Sequence, residues 1–591
     1  MYSQDRQTSS GIHTKASEWV FPKFWRVTRP YWRSDQRCSA LAFLLIILGL
    51  CVLRVITVVR LNDAGGRFFN ALQNRDPPAF HSTMLLIATF LALQLIAIVA
   101  QKYMSMILEI RWRRWLTGHL VTLWLTDRAF YRLRFANRTD NPDQRIAEDV
   151  GLMVGNGIDL AMGALNASLT VLAFAGVLWN LSGTLTLSIA GVNVRIVGYM
   201  FWAALSYWVV GSWVGYLVGK PLIGLNNRQQ RLEADFRFSL VRIREKAEGI
   251  ALYEGELRER SRASALFAFV YRNSLAMARN FSGLLAFQTF VGDGPSILPF
   301  LAVAPKYFAG LLALGDLMKI GNGFAQISIA LSWLVNSFPE YAAWHATVDR
   351  LAEFETDLGN VSLNRGDSHV KATGESIVFD RVTISLPGGQ PLFSNLSFQL
   401  KKGETVLFRG LSGVGKTTLF RVLSGIWPHV SGKITIPERK RLLFLPQDNY
   451  LPIGSLRAAL CFAQTGEPVP DSEIAATLDL LGLGYLGGRL DEETHWEQSL
   501  SAGERQRLTI AQAVFSRPDW LFLDESTSAL DEDQEAKVYG FLKIALPNTT
   551  TISIGHRKTL AAYHDVVISL APGLKTPGGA PLAPPFPATS E

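Results

Sequence analysis

The stretch GLSGVGKT, residues 410–417, decides how the C-terminal part of the chain folds. It follows the β-type sequence TVLF, residues 405–408, and leads into the helical sequence TTLFRVL. A strand, a glycine-rich loop and a helix in this order are typical of a phosphate-binding loop, where backbone N–H groups and a helix N-terminus face the phosphates. A structural glycine turn is the alternative, and the flanking strand and helix disfavour it. The predicted nucleotide-binding residues of the loop are Gly410, Ser412, Gly413, Gly415, Lys416, Thr417 and Thr418.

Four side chains near this loop have predicted chemical roles. The Lys416 ammonium can reach the β and γ oxygens of ATP, and the Thr417 hydroxyl can hold Mg²⁺. A second apolar strand, residues 520–523, ends in Asp524 and Glu525. The aspartate suits Mg²⁺ coordination and the glutamate suits polarising the attacking water. An acidic pair after a strand is weak evidence alone, but behind a phosphate-binding loop it indicates ATP hydrolysis.

Between these motifs lies LSAGERQ, residues 500–506. LSAGE resembles the signature of the ATP-binding-cassette (ABC) ATPases. Gln447 in FLPQD resembles their glutamine loop, and this implies a catalytic role and a contact with Mg²⁺. His556 in ISIGH resembles their switch histidine. The C-terminal part is therefore expected to be an α/β nucleotide-binding domain that uses ATP and Mg²⁺.

The same resemblance implies a composite site made by two chains. In ABC ATPases two copies face head to tail, so Ser501 and Gly503 of one copy are expected to complete the ATP site of the other. SALD, residues 528–531, resembles the D-loop, and its Asp531 is expected near the nucleotide. One departure is visible, because the aromatic residue that often stacks on adenine is Leu386 here.

The N-terminal part of the chain has the composition of a membrane domain. Hydrophobic residues make up 48% of the chain, and the mean hydropathy is +0.17. Apolar stretches able to cross about 30 Å of hydrocarbon predict six spans, at residues 40–59, 83–102, 158–181, 197–219, 281–303 and 320–338. The fifth is interrupted by the sequence GDGP, residues 292–295, and its Asp293 is a candidate for a substrate or proton role or simply for a hydrated helix end.

Charge fixes the expected orientation and excludes one class of partner. Basic residues flank the apolar stretches before the first span, after the second and after the fourth, so both termini are expected in the cytoplasm. The formal charge of +8 is spread over these flanks and does not form one basic domain, and no nucleic-acid partner is expected. The three cysteines have neither metal-ligand spacing nor a disulfide framework.

Composition shifts divide the chain into five segments. We predict a polar tail at residues 1–20, a transmembrane domain at 21–355 and a linker at 356–375. The nucleotide-binding domain follows at residues 376–571, and a proline-rich tail closes the chain at 572–591. The predicted fold class is a six-helix all-α transmembrane domain with cytoplasmic helix extensions, joined to an α/β phosphate-loop domain. The ABC resemblance gives the membrane part the exporter-like, type IV arrangement.

Several membrane motifs are similar to those of subfamily D ABC transporters, which carry fatty acyl-CoA or cobalamin. They are RWRRWLT at residues 111–117, NPDQRIAEDV at 141–150, EADFR at 233–237, GIALYEGE at 249–256 and APKYFAG at 304–310. LNDAGGRFFNALQNRD, residues 61–76, is also similar to the SbmA and BacA peptide importers. By this resemblance NPDQR and EADFR lie at cytoplasmic coupling loops, whereas helix capping and stalk packing are the alternative.

These resemblances imply a half-transporter that works as a homodimer in a membrane. Uptake of a bulky compound through a bacterial inner membrane is expected, with the ATPase domain in the cytoplasm and with lipid and substrate as further partners. Export or lipid handling is one alternative. An ATP-gated channel or regulator is another, and proton-driven transport with an idle ATPase is a third.

Overall fold

The computed structural model describes residues 20–136, 141–189, 192–363, 370–372, 374–411, 413–438, 441–464 and 467–570. The predicted N-terminal tail up to residue 19, the C-terminal tail and the loop residue Ser412 lie outside these ranges. The chain forms two compact units. One unit contains Met1–Thr122 and Asn141–Thr356, and the other contains Leu123–Asp140 and Asp357–Glu591.

Helices of very different lengths make up most of the described chain up to residue 363. They are α1 (Val20–Arg33), α2 (Arg37–Gln73), α3 (Pro77–Leu125), α4 (Ala129–Ala136), α5 (Pro142–Gln144), α6 (Val150–Ser182), α7 (Tyr199–Glu245), α8 (Ala247–Leu252), α9 (Glu256–Asp293), α10 (Leu298–Phe308), α11 (Leu314–Asn336) and α12 (Phe338–Leu363). A π-helical turn, Arg145–Asp149, leads into α6. A hairpin of β1 (Thr184–Ile189) and β2 (Val192–Val197) joins α6 to α7.

Among the described residues, five helical segments are long and apolar enough to cross a membrane: Arg37–Gln73, Pro77–Phe135, Pro142–Ser182, Tyr199–Glu245 and Glu256–Phe308. Five of the six predicted spans fall in them. The sixth falls on α11, a helix of 23 residues that carries Asp316 and Lys319 and is not among the five. The membrane domain is thus confirmed, but the count of six is not. The predicted interruption of the fifth span is present, because a 3₁₀ turn, Gly294–Ser296, separates α9 from α10.

The surface of the membrane unit is apolar where a soluble protein would be polar. Leu45, Leu85 and Leu172 are 66%, 71% and 72% exposed. Large exposed aliphatic side chains along such helices suit contact with lipid. Inside the unit, buried residues of α6, α7, α10 and α11 form a core that includes Phe174, Leu178, Val303 and Phe324.

Two small residues bring α2 and α11 into close contact. A Cβ atom on Gly315 would lie 2.0 Å from the Gly66 carbonyl oxygen, so a side chain there would collide with the backbone of α2. The Gly315 amide donates to Asn70 Oδ1 at 2.7 Å, which satisfies one free N–H group at the start of α11.

The described part of the second unit contains eleven strands and a set of shorter helices. Its strands are β3 (Val370–Ala372), β4 (Ile377–Ser385), β5 (Pro391–Leu400), β6 (Val406–Gly410), β7 (Val430–Ile436), β8 (Leu442–Leu445), β9 (Gly454–Ser455), β10 (Glu493–Thr494), β11 (Trp520–Asp524), β12 (Thr550–Ile554) and β13 (Val566–Leu570). Its helices beyond α12 are α13 (Lys416–Leu423), α14 (Leu456–Leu460), α15 (Asp471–Leu480), α16 (Trp496–Ser499), α17 (Ala502–Ser516) and α18 (Glu532–Ala545).

Two sheets organise this unit as the sequence predicts, α/β with an antiparallel part. Five parallel strands lie in the order β13-β6-β12-β11-β8. A second sheet has the order β3-β7-β4-β5, and β4 is antiparallel to both of its neighbours. Because β6 and β11 share the parallel sheet, their C-terminal ends meet at the same edge. That edge is where ligands bind in open α/β sheets.

Helix α4 belongs to this second unit although it follows α3 directly in sequence. The Phe135 ring packs edge-on against Trp427, with 5.3 Å between the ring centroids. Just before α4, Arg128 donates to the Ser424 carbonyl at 2.7 Å. Residues 123–136 are therefore held by the α/β unit, a grouping that the predicted domain boundaries did not include.

Candidate functional site

The loop between β6 and α13 forms a cradle of backbone amides. Gly413 and Gly415 have φ values of +79° and +104°, which residues with a Cβ rarely adopt. A Cβ on Gly415 would also lie 2.3 Å from Leu392 Cδ2. Helix α13 begins at the next residue, so its free N–H groups face the loop. Such a cradle fits the phosphates of a nucleotide.

Lys416 supplies the cation of this cradle. Its side chain is buried, and its Nζ donates to the carbonyl oxygens of Gly410 at 2.9 Å and Leu411 at 3.2 Å. Burial lowers the pKa of Lys416, while the charges of Glu525 and Asp524 act in the opposite direction. A partly desolvated ammonium held by neutral carbonyls is favourably placed for an anionic ligand, and this fits a polyphosphate.

Asp524 and Thr417 lie together at the sheet edge. Asp524 Oδ1 accepts a hydrogen bond from Thr417 Oγ1 at 3.2 Å, and Asp524 is only 4% exposed. Burial raises the pKa of Asp524, the Thr417 hydrogen bond lowers it, and the Glu525 charge raises it further. In the described part of the chain no three His, Cys, Asp or Glu side chains are grouped to hold a metal. An oxygen pair of this kind suits Mg²⁺, which usually takes one or two protein ligands together with phosphates and water.

Glu525, Gln447 and His556 meet beside this pair. Gln447 Nε2 donates to Glu525 Oε2 at 2.9 Å. His556 Nε2 lies 3.0 Å from Glu525 Oε1 and 2.9 Å from Lys416 Nζ. One ring nitrogen cannot accept from lysine and donate to glutamate at once, so the tautomer of the His556 ring selects between the two contacts.

Glu525 has a backbone conformation that is costly for its residue type. Its φ is +50°, in the left-handed region. Its amide donates to the Ile554 carbonyl at 3.1 Å, which anchors the residue to β12. Non-glycine residues in this region cost about 1–3 kcal/mol and cluster at functional sites. Eight other described non-glycine residues also have a positive φ, so this conformation supports Glu525 as the predicted catalytic base only together with its contacts to Gln447 and His556.

The signature segment forms the start of α17. Ser501 is the N-cap: its Oγ accepts from the Glu504 amide at 3.3 Å and donates to Glu504 Oε2 at 2.7 Å. The Tyr485 hydroxyl donates to the other carboxylate oxygen of Glu504 at 2.5 Å. Gly503 lies in the first turn of α17. Among the described residues, the Ser501 side chain bonds Glu504 and none of the phosphate-loop residues, so the site and the signature are separate within one chain.

The D-loop, residues 528–531, is linked to the signature helix by a contact that the sequence did not reveal. The Gln506 side chain accepts from the Ala529 amide at 2.9 Å and donates to Ser528 Oγ at 3.2 Å, and so it ties the signature helix to the D-loop. Gln506 closes the quoted string LSAGERQ, but only the tertiary contact reveals this role. Asp531 caps α18 by accepting from the Gln534 amide at 2.7 Å, while its contact with nucleotide stays a prediction.

The remaining predicted positions lie apart from this cluster. Leu386, at the turn between β4 and β5, is 38% exposed and offers an apolar side chain without a ring for adenine. Thr418 is buried in α13. Asp293 is exposed at the end of α9. Glu233 of EADFR accepts from Gln229 at 2.9 Å within α7, and its place at a coupling loop stays a prediction.

The NPDQRIAEDV segment contains a buried ion cluster. Asp149, 2% exposed, ends the π-helical turn. Arg350 of α12 donates to both of its oxygens, at 2.6 Å and 2.9 Å, and Arg145 donates at 3.0 Å. The two guanidinium groups satisfy the carboxylate and fix the start of α6 against α12.

Comparison with known proteins gives the family. Residues 28–308 match the family "ABC transporter transmembrane region 2", and residues 393–528 match the family "ABC transporter". The chain is 31% identical to the inner membrane ABC transporter ATP-binding protein YddA of Escherichia coli K12, over 91% of this chain and 95% of that protein. It is 30% identical to ABC transporter D family member 2, chloroplastic, of Arabidopsis thaliana, covering 94% and 87%. It is 28% identical to the human lysosomal cobalamin transporter ABCD4, covering 94% of both.

These relatives span nearly the whole chain and carry both of its units in one polypeptide. A membrane domain and an ABC ATPase domain in one chain couple ATP hydrolysis to transport. The phosphate-loop cradle, the acidic pair and the signature helix are the parts that such an ATPase requires. The chain is a member of the ABC transporter family with fused transmembrane and ATP-binding domains, homologous to members of subfamily D.

Proposed function

We propose that the chain is an ATP-driven half-transporter that works as a homodimer and moves a bulky compound across a membrane, with uptake as the favoured direction. One observation carries the proposal. Three side chains from separate segments of the sequence come together at one sheet edge. His556 Nε2 lies within 3.0 Å of both Lys416 Nζ and Glu525 Oε1. Gln447 joins the group by donating to Glu525 Oε2. No structural requirement explains this convergence of titratable groups.

The roles follow from the contacts. Lys416 and the backbone amides of the loop hold the phosphates. Thr417 and Asp524, with Gln447, would hold Mg²⁺, which neutralises phosphate charge when bound. Glu525 orients and polarises the attacking water, and Gln447 and His556 position the Glu525 carboxylate. When ATP arrives, its phosphates compete for Lys416, so His556 is released towards Glu525 and the γ-phosphate.

A second copy of the chain supplies the other side of each ATP. The chain contains GLSGVGKT and LSAGE once each. In the described part of one chain, Ser501 bonds Glu504 rather than the phosphate loop. A partner's Ser501 and Gly503, at the N-terminus of α17, would add hydrogen bonds and helix-dipole potential at the γ-phosphate. Hydrolysis is then conditional on dimerisation.

Substrate and direction rest on resemblance. The human and mouse relatives are named lysosomal cobalamin transporters, and the segment at residues 61–76 is similar to the SbmA and BacA peptide importers. Both point to bulky polar compounds. The inner-membrane name of the E. coli relative supports a bacterial inner membrane. The basic flanks of the apolar stretches support an ATPase domain in the cytoplasm. Export or fatty acyl-CoA transport is the second candidate within transport, and it rests on the resemblance of the membrane motifs to subfamily D.

The test is uptake of labelled cobalamin and of a labelled peptide into sealed inside-out and right-side-out vesicles. We expect ATP-dependent accumulation in one orientation and none with Lys416→Ala. Conductance without accumulation would identify a gated channel instead. Uptake that survives in Lys416→Ala and disappears when the proton gradient is collapsed would identify proton-driven transport.

The dimer has its own experiment. The purified chain should have the mass of two copies at working concentration, and hydrolysis should be lost on dilution to the monomer. A mixed dimer of Lys416→Ala and Ser501→Arg chains should retain at most one intact site. Full activity of monomers would contradict the composite site.

A further inference from the structure

Helix α1 is fixed to the membrane unit along one face. Lys23 Nζ pairs with Asp349 Oδ1 at 2.9 Å, and Arg26 donates to the Ala352 carbonyl at 2.9 Å. The Tyr31 ring stacks on Trp112 with 5.4 Å between centroids and 9° between planes. These contacts join α1 to α12 and α3, so the opposite face has a defined position.

That opposite face combines aromatic and cationic side chains. Phe21 and Trp25 are 61% and 54% exposed. Residues 21, 25, 29 and 33 are spaced by four, so they lie along one side of the helix. A surface groove of about 400 Å³ runs there, lined by Pro22, Trp25, Arg26, Arg29, Pro30 and Arg33.

Within the described part of the chain, only one of the three arginines that line this groove has an acidic partner. Arg26 lies 3.6 Å from Glu355, at the margin of the groove. Arg29 and Arg33 have no ion-pair partner among the residues that the structure describes. Two exposed guanidinium groups one turn apart therefore face outward beside an exposed indole ring, with their donors free for an anion.

We infer that this groove binds the phosphate of an anionic phospholipid headgroup. Only three residues separate α1 from α2, the first candidate span, and an extended chain covers at most about 3.6 Å per residue. The groove therefore lies at the level of the headgroups. Guanidinium groups bind phosphate through paired N–H donors, and tryptophan prefers the membrane interface. Free phosphate would leave the exposed Phe21 and Trp25 on the same face without a partner, whereas a phospholipid offers a phosphate to the guanidinium groups and apolar chains to the aromatic rings.

The expected strength follows from charge. Each basic residue near an anionic membrane surface strengthens binding by about fivefold. Neutralising Arg29 and Arg33 should therefore weaken phosphatidylglycerol binding roughly thirtyfold. The inference rests on the proposed membrane placement of α2 but not on substrate, direction or dimerisation.

The experiment uses the full chain in dodecylmaltoside micelles with equimolar phosphatidylglycerol and phosphatidylcholine, and native mass spectrometry counts the retained lipids. We expect preferential retention of phosphatidylglycerol, which Arg29→Gln with Arg33→Gln largely abolishes. Lys401→Gln with Lys433→Gln removes two exposed charges from the ATPase unit and should change nothing.

Two outcomes overturn the inference. Equal retention of both lipids by the unaltered chain would show no headgroup site. Displacement of the lipid by millimolar inorganic phosphate would show a site for a free anion. The ATPase rate of the double variant in detergent should equal that of the unaltered chain, because α1 contributes nothing to the ATP site. A chain without ATPase activity would contradict the proposed function and leave the lipid result to be judged by itself.

Discussion

The two units each bury an aspartate, and the surroundings of the two residues are opposite. Asp149 in the membrane unit is 2% exposed and receives three hydrogen bonds from two arginines. Asp524 in the ATPase unit is 4% exposed and receives one hydrogen bond from a neutral hydroxyl. A carboxylate whose charge is already balanced serves the fold. A buried carboxylate without a bonded cation is suited to bind one that arrives with a ligand.

The largest effect on stability is expected at Asp149, whose charge is balanced by two arginines. Asp149→Ala should lower the free energy of unfolding by about 3 kcal/mol, because Arg145 and the partly exposed Arg350 would keep their charges without the buried carboxylate that balances them. Thermal unfolding in detergent micelles measures it. Glu473→Ala, at the exposed pair with Arg517, is the control and should cost no more than about 1 kcal/mol. An unchanged melting temperature in Asp149→Ala would show that the cluster does not stabilise the unit.

The next largest effect is expected on ATP hydrolysis at Glu525, which follows Asp524 in the sequence. Glu525→Gln should bind ATP yet hydrolyse it at least about a hundredfold more slowly, because a positioned general base contributes on that scale. The hydrogen bond from Gln447 could be kept by the new amide oxygen, so folding should be preserved. Steady-state phosphate release, with ATP binding measured in parallel, tests this. Near-normal turnover would place the base elsewhere.

Asp524→Asn should have two effects of opposite sign. Burial raises the pKa of Asp524 above the ordinary 3.8, so the folded state binds this proton more tightly than the unfolded state does. That contribution is complete below pH 3.8 and is lost as the pH rises through the raised pKa. Without ligand at neutral pH, the uncharged variant should therefore be slightly more stable than the unaltered chain.

With Mg²⁺ and ATP the order should reverse. At a hundred times the dissociation constant, the ligand stabilises the unaltered chain by about 2.7 kcal/mol. Asp524→Asn should lose most of this gain. Melting curves with Mg-ATP and with ATP plus EDTA measure both effects. A variant that is destabilised without ligand would show that Asp524 is a structural residue like Asp149.

The smallest effect on stability is expected at charges that are neither buried nor in the ATP site. Glu233 and Arg237 are exposed on α7. Replacing both by alanine should leave nucleotide binding and helicity unchanged. Uptake per ATP should fall by about fivefold or more if EADFR transmits differential contacts between the units. ATPase rate and vesicle uptake on one preparation measure it, and wild-type values for both would reduce the segment to a stalk.

The features of the fold and of the site that could be predicted are those that a contiguous stretch of sequence specifies. The glycine loop, the acids after β11 and the five spans on long apolar helices are each specified within a few turns or strands of sequence. The Asp149–Arg350 pair joins residues 201 positions apart, and only tertiary packing creates it. The same is true of the assignment of α4 to the ATPase unit through Phe135 and Trp427.

Short or locally ambiguous elements were missed for a different reason. The β1–β2 hairpin lies between two longer apolar stretches, and its alternating Thr, Leu and Ser residues carry too weak a pattern to separate it from a turn. The sixth predicted span, at residues 320–338, does lie on a helix, but α11 begins earlier, carries Asp316 and Lys319 near its start and is not among the five candidate membrane spans. Gln506 and Tyr485 act through partners that only the folded unit brings near.

The left-handed backbone at Glu525 also has an evolutionary meaning. Glycine or asparagine adopts that conformation more readily than glutamate, so exchange of Glu525 would relax the chain at the cost of its base. A copy freed from selection for hydrolysis would gain from such a change at this codon. Glutamate at a position whose backbone favours glycine therefore indicates that the carboxylate, and not the backbone, determines which residue stands there.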